Sequence, residues 1–241
     1  MYLIGDIGNT EIKICLLDLN SKIVNRVNIE SNLVTKKYLS KKLKYLKKYK
    51  ISKILFSSVV PSKFKITKNF IEKETGKKCF EIKQIDLKKF LNIKVDKKQV
   101  GSDRLANAIA VINNKSNFII LDFGTATTFD VVVKNNYLGG VISPGVTLSL
   151  NSLVSKASLL PSVNLSKISN VIGKTTKTAI RSGFYWGYLG LINNIIDLIF
   201  KHTNKKYNVI LTGGLSHLFK NSINVKSKVD KNLTINGLLK V

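Results

Sequence analysis

Short apolar runs that alternate with polar residues organise the first third of this chain. Ile12, Ile14 and Leu16 alternate with Lys13, Cys15 and Leu17, and the spacing predicts strands over 2–8 and 12–18 around a tight glycine turn, with a third strand near Val24 to Ile29. Leu39, Leu43 and Leu46 recur at helical spacing within the lysine-rich run 36–48, so this segment reads as an amphipathic helix with a basic outer face. An apolar strand over 52–60 is ended by Pro61, and a helix over 62–75 stops at Gly76. Strand followed by helix implies a βαβ crossover. A further helix is expected over 103–114, from Asp103 through Leu105, Ala106, Ala108, Ile109 and Val111, with an acidic first turn.

The pattern then restarts. Strands are expected over 117–122 and 128–133, a hairpin turn at Asn135-Asn136, and a strand near Tyr137 to Ile142. Apolar helices are expected around 145–158 and 176–201. Tyr207 to Ser216 again runs from an apolar strand into glycines, ahead of another helix. The fold class is therefore α/β, with two similar halves divided as 1–115 and 116–241.

A chain of 241 residues, 44% of them hydrophobic, is long enough to bury its own cores. Cys15 and Cys79 form no CxxC pair, and with two histidines no local Cys/His metal site can be assembled; both thiols read as reduced and structural. The amino terminus enters a strand directly, and no apolar run approaches about 18 residues. A cytoplasmic protein without membrane contact is expected. The formal net charge of +26 is the rival signal, since such a field attracts nucleic acid. Only Arg26, Arg104 and Arg181 are arginines, however, and lysine lacks the bidentate geometry of phosphate and base recognition. The charge reads as a solvated surface.

Candidate chemistry lies where the two halves begin. Leu3-Ile4-Gly5-Asp6-Ile7-Gly8-Asn9-Thr10 and Ile119-Ile120-Leu121-Asp122-Phe123-Gly124-Thr125-Ala126-Thr127-Thr128 each carry an apolar run into an aspartate, a glycine and hydroxyl residues. Glycine lets the backbone approach phosphate oxygens, hydroxyls and N–H groups donate to them, and the carboxylate can hold a cation or its waters. Phosphoryl transfer is the chemistry such turns serve.

In order along the chain, Asp6-Ile7-Gly8-Asn9-Thr10, Gly101-Ser102-Asp103-Arg104, Asp122 to Thr128, Gly139 to Gly145, Leu160-Pro161, Gly173-Lys174-Thr175-Thr176 and Thr212-Gly213-Gly214 resemble the type III pantothenate kinases of the acetate and sugar kinase, Hsp70 and actin superfamily. The resemblance implies two ribonuclease-H-like domains with ATP between them. It also implies transfer of a phosphoryl group from ATP to the primary hydroxyl of pantothenate, the first step toward coenzyme A, with Mg²⁺ and a monovalent cation (K⁺ or NH₄⁺), in a homodimer.

The same resemblance implies roles by position. Asp6, Ile7, Gly8, Asn9, Thr10, Glu11, Ile12 and Lys13 would hold the triphosphate, with Asp6 on its Mg²⁺; Thr125 would contact phosphate, and Gly213 and Gly214 would pass close to the base. Asp122 would hold the monovalent cation. Asp103 would be the catalytic base and Arg104 the partner of the substrate carboxylate, with Gly101, Ser102, Thr176 and Val95 completing the substrate site. By residue type alone Asp103 suits a helix N-cap better than a base, Thr176 also suits a cap, and Asp122 a cap on nearby N–H groups. The family carries a tyrosine and an Asn-Pro pair where this chain has Val95 to Val100, and asparagine where it has Thr175. Two other functions stay open: a kinase of another small hydroxylated substrate, and a non-catalytic regulator that binds nucleic acid through its lysines.

Overall fold

A computed structural model describes residues 1–241. The chain divides into two compact units, Met1–Ile112 with Asn232–Val241, and Asn113–Lys231. The sequence boundary at 115/116 thus lies close to the first division, but the last ten residues belong to the first unit.

In that unit β1 (Tyr2–Ile7), β2 (Glu11–Leu17) and β3 (Ile23–Glu30) form an antiparallel meander, and β4 (Lys53–Ser58) and β5 (Phe80–Glu81) add in parallel beside β1, giving the order β3-β2-β1-β4-β5. Helices α1 (Lys36–Leu43), α2 (Pro61–Thr75) and α3 (Ser102–Val111), with a two-residue strand β6 (Asn92–Ile93), complete the segment before residue 113. The basic run is shorter as α-helix than its pattern suggests: beyond Leu43 it tightens into a 3-10 turn, Lys44–Lys48, which still buries Leu46. Pro61 occupies the first turn of α2, where its missing N–H costs nothing, and Gly76 closes that helix in the left-handed conformation. Leu3, Ile14, Leu16, Leu39, Leu43 and Phe56 are among the fully buried members of this core, and burying each contributes about 1.5–3 kcal/mol.

The second unit repeats the plan. Strands β7 (Asn117–Phe123), β8 (Ala126–Val133) and β9 (Asn136–Pro144) form a meander, and β10 (Asn208–Gly213) and β11 (Ser227–Val229) add in parallel beside β7. The order β9-β8-β7-β10-β11 is that of the first unit, strand for strand. Helices α4 (Val146–Lys156), α5 (Thr176–Thr203) and the one-turn α6 (Ser216–Phe219) accompany it, around a core that includes Tyr185, Ile192, Phe129 and Phe219. The hairpin loop is Lys134-Asn135 rather than Asn135-Asn136, because Val133 pairs with Asn136 and Lys134 takes the positive φ of 54° that the turn requires.

The final helix, α7 (Leu233–Lys240), packs on α3, β1 and β4 of the first unit. Thr234 Oγ1 donates to Asn107 Oδ1 at 2.8 Å, and Lys53 Nζ and Lys240 Nζ donate to carbonyls at the ends of α7 and α3, Leu238 and Ala110 respectively. Gly237 lies so close to α3 that a Cβ added there would sit 1.8 Å from the Ala106 carbonyl oxygen. No helix is long and apolar enough to cross a membrane.

Candidate functional site

Asp6 stands one residue from the carboxyl end of β1, flanked in register by Lys13 on β2 and Ser57 on β4. Ser57, fully buried, donates its hydroxyl to Asp6 Oδ1 at 2.6 Å. Burial pushes the Asp6 carboxyl up from 3.8 to about 6; the Ser57 bond opposes the rise, the Asp103 carboxylate adds to it, and Lys13 offsets part of it. Beyond Asp6 the chain turns tightly, with Gly8 N–H on Glu11 C=O, and Ser31 Oγ fixes the turn by donating to Gly8 C=O at 2.6 Å. Asn9 and Thr10 are exposed at the tip, and Lys13 Nζ lies 3.7 Å from Glu11 Oε2. Ile7 and Ile12 point into the core, so they can offer a nucleotide only backbone groups.

Because the carboxyl of Asp6 is harder to ionise in the folded chain than in the unfolded one, it subtracts stability as pH rises from about 4 to about 6, and the full penalty applies above that. Asp6→Asn is therefore expected to be more stable than the parent at pH 7–8, by at most about 3 kcal/mol, and to melt with the parent, without any gain, at pH 3.5. Melting curves at the two pH values check this, and an Asn variant less stable at pH 8 would contradict it.

Asp103 reaches the same neighbourhood from α3. That helix begins one residue earlier than expected: Gly101 is its N-cap, Ser102 its first residue and Asp103 its second. Asp103 is thus not the cap, but its Oδ1 folds back to accept the Arg104 N–H at 2.8 Å, which satisfies a donor of the open first turn. The carboxylate lies over Gly101, where a Cβ would approach Oδ1 to 2.5 Å. Burial raises its pKa, against the pull of the Arg104 N–H and guanidinium and of Lys83. Two half-buried carboxylates from positions 6 and 103 therefore share one field. Ser102 is buried beside them, while Val95 is exposed on the segment that leads in.

In the second unit Asp122 holds the place on β7 that Asp6 holds on β1, but its neighbours differ. Thr128 on β8 and Thr212 on β10 flank it, where Asp6 has a lysine and a serine. Gly213, at φ 82°, passes so near that an added Cβ would lie 2.6 Å from Asp122 Oδ1 and 2.5 Å from the Phe123 carbonyl oxygen. Any side chain at position 213 would collide with that carboxylate and with the Phe123 backbone, so only glycine fits there. Thr125 is exposed at the tip of the β7–β8 turn, its carbonyl accepting the Gly145 N–H, and Gly214 is exposed after β10. Thr176 is the exposed first residue of α5; the cap is Thr175, whose hydroxyl accepts the Thr178 N–H at 3.2 Å while Thr178 Oγ1 accepts the Thr175 N–H.

Ser57 was not singled out from sequence. The signal was present in Ile54-Leu55-Phe56-Ser57-Ser58, where a buried apolar strand ends in hydroxyls. Nowhere do three or more His, Cys, Asp or Glu side chains gather as a ready metal cluster.

Comparison with known proteins places this geometry in a family. Among solved structures, one from Campylobacter jejuni provisionally described as a Baf family transcriptional activator superposes with a TM-score of 0.60 at 19% identity, covering 99% of this chain and 96% of that one. Another, from Sinorhizobium meliloti and provisionally described as a 2-dehydro-3-deoxygalactonokinase, reaches 0.62 at 10% identity, covering 100% and 97%. At such identities the likeness is one of fold, and the fold includes that of sugar kinases. The type III pantothenate kinase of Pelagibacter ubique is 54% identical over 242 aligned residues, covering 100% of this chain and 98% of that protein. The sequence profile of that family matches residues 2–198. With a profile match over most of its length and a full-length relative at this identity, the chain belongs to the type III pantothenate kinase family.

Proposed function

We propose that this kinase phosphorylates the primary hydroxyl of pantothenate with ATP, as the first step of coenzyme A synthesis. The observation that carries the reading is Asp103–Arg104 in the first turn of α3, with the Asp103 carboxylate in the field of Asp6, inside a chain 54% identical to a type III pantothenate kinase. Arg104 pairs with the pantothenate carboxylate through its planar fork. Asp103 orients the attacking hydroxyl and accepts its proton; its raised pKa makes it a better base than an ordinary aspartate. Phosphoryl transfer is loose, so orientation carries much of the effect. Gly101, Ser102, Thr176 and Val95 complete the substrate contacts.

The chemistry of the two aspartates supports a division of labour. Asp6 has Lys13 beside it and an exposed turn beyond, which suits a triphosphate and its Mg²⁺; Gly8, Asn9, Thr10, Glu11 and the backbone of Ile7 and Ile12 serve the same group. Thr125 contacts phosphate, and Gly213 and Gly214 border the base. Asp122, flanked in register by Thr128 and Thr212, suits K⁺ or NH₄⁺: its carboxylate stands near a strand end among oxygen-bearing side chains, the hard donors such a cation takes. Bound Mg²⁺ and the monovalent cation supply charge that offsets the phosphates.

A homodimer fits two surface features of the second unit. Leu148, Leu153, Leu159, Val171 and Ile172 are exposed on α4 and the segment after it, and Gly183, Gly187 and Gly190 lie exposed along α5, where a Cβ would meet nothing. Each helix glycine costs about 1 kcal/mol relative to alanine, a cost that close approach of a second backbone offsets.

The test is ADP formation with pantothenate and Mg²⁺, with and without K⁺ or NH₄⁺. Turnover that requires pantothenate and a monovalent cation is expected. A folded protein that turns over ATP equally well without pantothenate would overturn the substrate assignment, and turnover indifferent to K⁺ and NH₄⁺ would overturn the role of Asp122.

A further inference from the structure

β5 ends at Glu81, and a 3-10 turn, Ile82–Gln84, carries the chain off the sheet edge. Since β1, β4 and β5 run parallel, Asp6, Ser57 and this turn leave the sheet at the same end, one strand after another. That end of a parallel arrangement is where α/β sheets place ligands. The turn is rigidly closed: Lys83 N–H donates to Glu81 Oε2 at 2.8 Å and Glu81 N–H to Gln84 Oε1 at 2.9 Å.

From here two lysines cross to the segment that precedes α3. Lys83 Nζ donates to the Lys98 carbonyl at 3.2 Å, and Lys97 Nζ donates back to the carbonyls of Lys83 at 3.2 Å and Ile85 at 3.3 Å. The receiving turn is closed by Asp96, whose Oδ1 accepts the Lys98 N–H at 2.9 Å and whose Oδ2 accepts from Gln99 Nε2 at 3.1 Å. Buried Val100 follows, then Gly101 and the first turn of α3. The Lys83 ammonium also acts on the Asp103 carboxylate, beside Arg104. An ammonium has three donors, and the Lys98 carbonyl uses one.

We infer that Lys83 is a positioning residue of this site: its ammonium ties the 96–99 turn to the sheet edge and thereby fixes Gly101 to Arg104 where Asp103 acts. The inference rests on Asp103 as the base. Loss of the tie leaves the Lys97 bonds to the Lys83 and Ile85 carbonyls to hold the segment before α3 alone, which loosens it, and a displacement of even 1 Å at a reacting group costs rate rather than nucleotide affinity. Lys83→Met keeps the aliphatic stem and removes the donors; Lys83→Arg restores a cationic donor.

In Lys83→Met, amide exchange at Val100 to Ser102 is expected to quicken roughly tenfold, with kcat down by about tenfold and KM for ATP within about twofold. Lys83→Arg should recover most of both. Unchanged exchange in Lys83→Met overturns the proposal whatever happens to the rate. So does faster exchange with wild-type kcat, or a kcat loss that Lys83→Arg does not relieve. Asp103→Asn measured in parallel separates the two ideas: if that variant keeps its turnover, the base assignment falls, while exchange still decides whether Lys83 holds the segment.

Discussion

Asp103→Asn is expected to lower pantothenate-dependent ADP formation by 100-fold or more, the lower end of about 10²–10⁴ for a positioned acid or base. The amide keeps the shape of the side chain and can still accept the Arg104 N–H, so α3 should begin where it does in the parent. What is lost is the ability to take a proton. Removing a half-buried carboxylate whose pKa is raised also relieves a penalty, and relieves Asp6 of a like-charged neighbour, so the variant should fold at least as well as the parent at neutral pH. ATP affinity, assigned to residues of the β1–β2 turn, should change little. Turnover and nucleotide titration on the same preparation provide the check, and wild-type turnover in the variant would remove Asp103 from the chemistry.

Gly237→Ala is expected to be the most damaging single methyl group in the first unit. Its Cβ would lie 1.8 Å from the Ala106 carbonyl oxygen and 2.6 Å from the Ala106 carbonyl carbon, so backbone rather than a flexible side-chain end must give way. Alanine is otherwise the better helix former by about 1 kcal/mol, which fixes the sign as a contest that the clash wins. Separating α7 from α3 weakens the Thr234–Asn107 bond and opens the interface where Leu233, Ile235 and Leu238 are buried. A loss of about 3 kcal/mol follows from overpacking of this kind, or a fall in Tm of roughly 6–12 °C for a chain of this size. Thermal melts check it, and an unchanged or raised Tm would contradict it. Because Asp103 and Arg104 lie about one turn before Ala106 on α3, activity should fall before the protein unfolds.

The strands that build each meander were legible because their alternation is local, and the restart of the plan was legible in the two aspartate–glycine turns. Their neighbours were not. Thr128 and Thr212 flank Asp122 only through strand register, which no short window of sequence encodes. β5, β6 and β11 are two or three residues long and carry no period. The start of α3 was misplaced by one residue because Asp103 and Gly101 are both acceptable caps, and the Cβ-free space over Gly101 that admits the folded-back carboxylate exists only in three dimensions. α7 was missed for a related reason: a glycine in a short apolar segment argues against a helix until Ala106 is seen to require it.

The order of elements along the chain has a consequence for how the protein is made. α3 is synthesised before the whole of the second unit, whereas α7, which covers α3, β1 and β4, is synthesised after it. On the ribosome the first unit must wait through residues 113–231 with an apolar face uncovered, an interval in which a chaperone or a neighbouring nascent chain has access to it. A premature stop anywhere in the second unit therefore does double damage, since it also deprives the amino-terminal unit of its last helix.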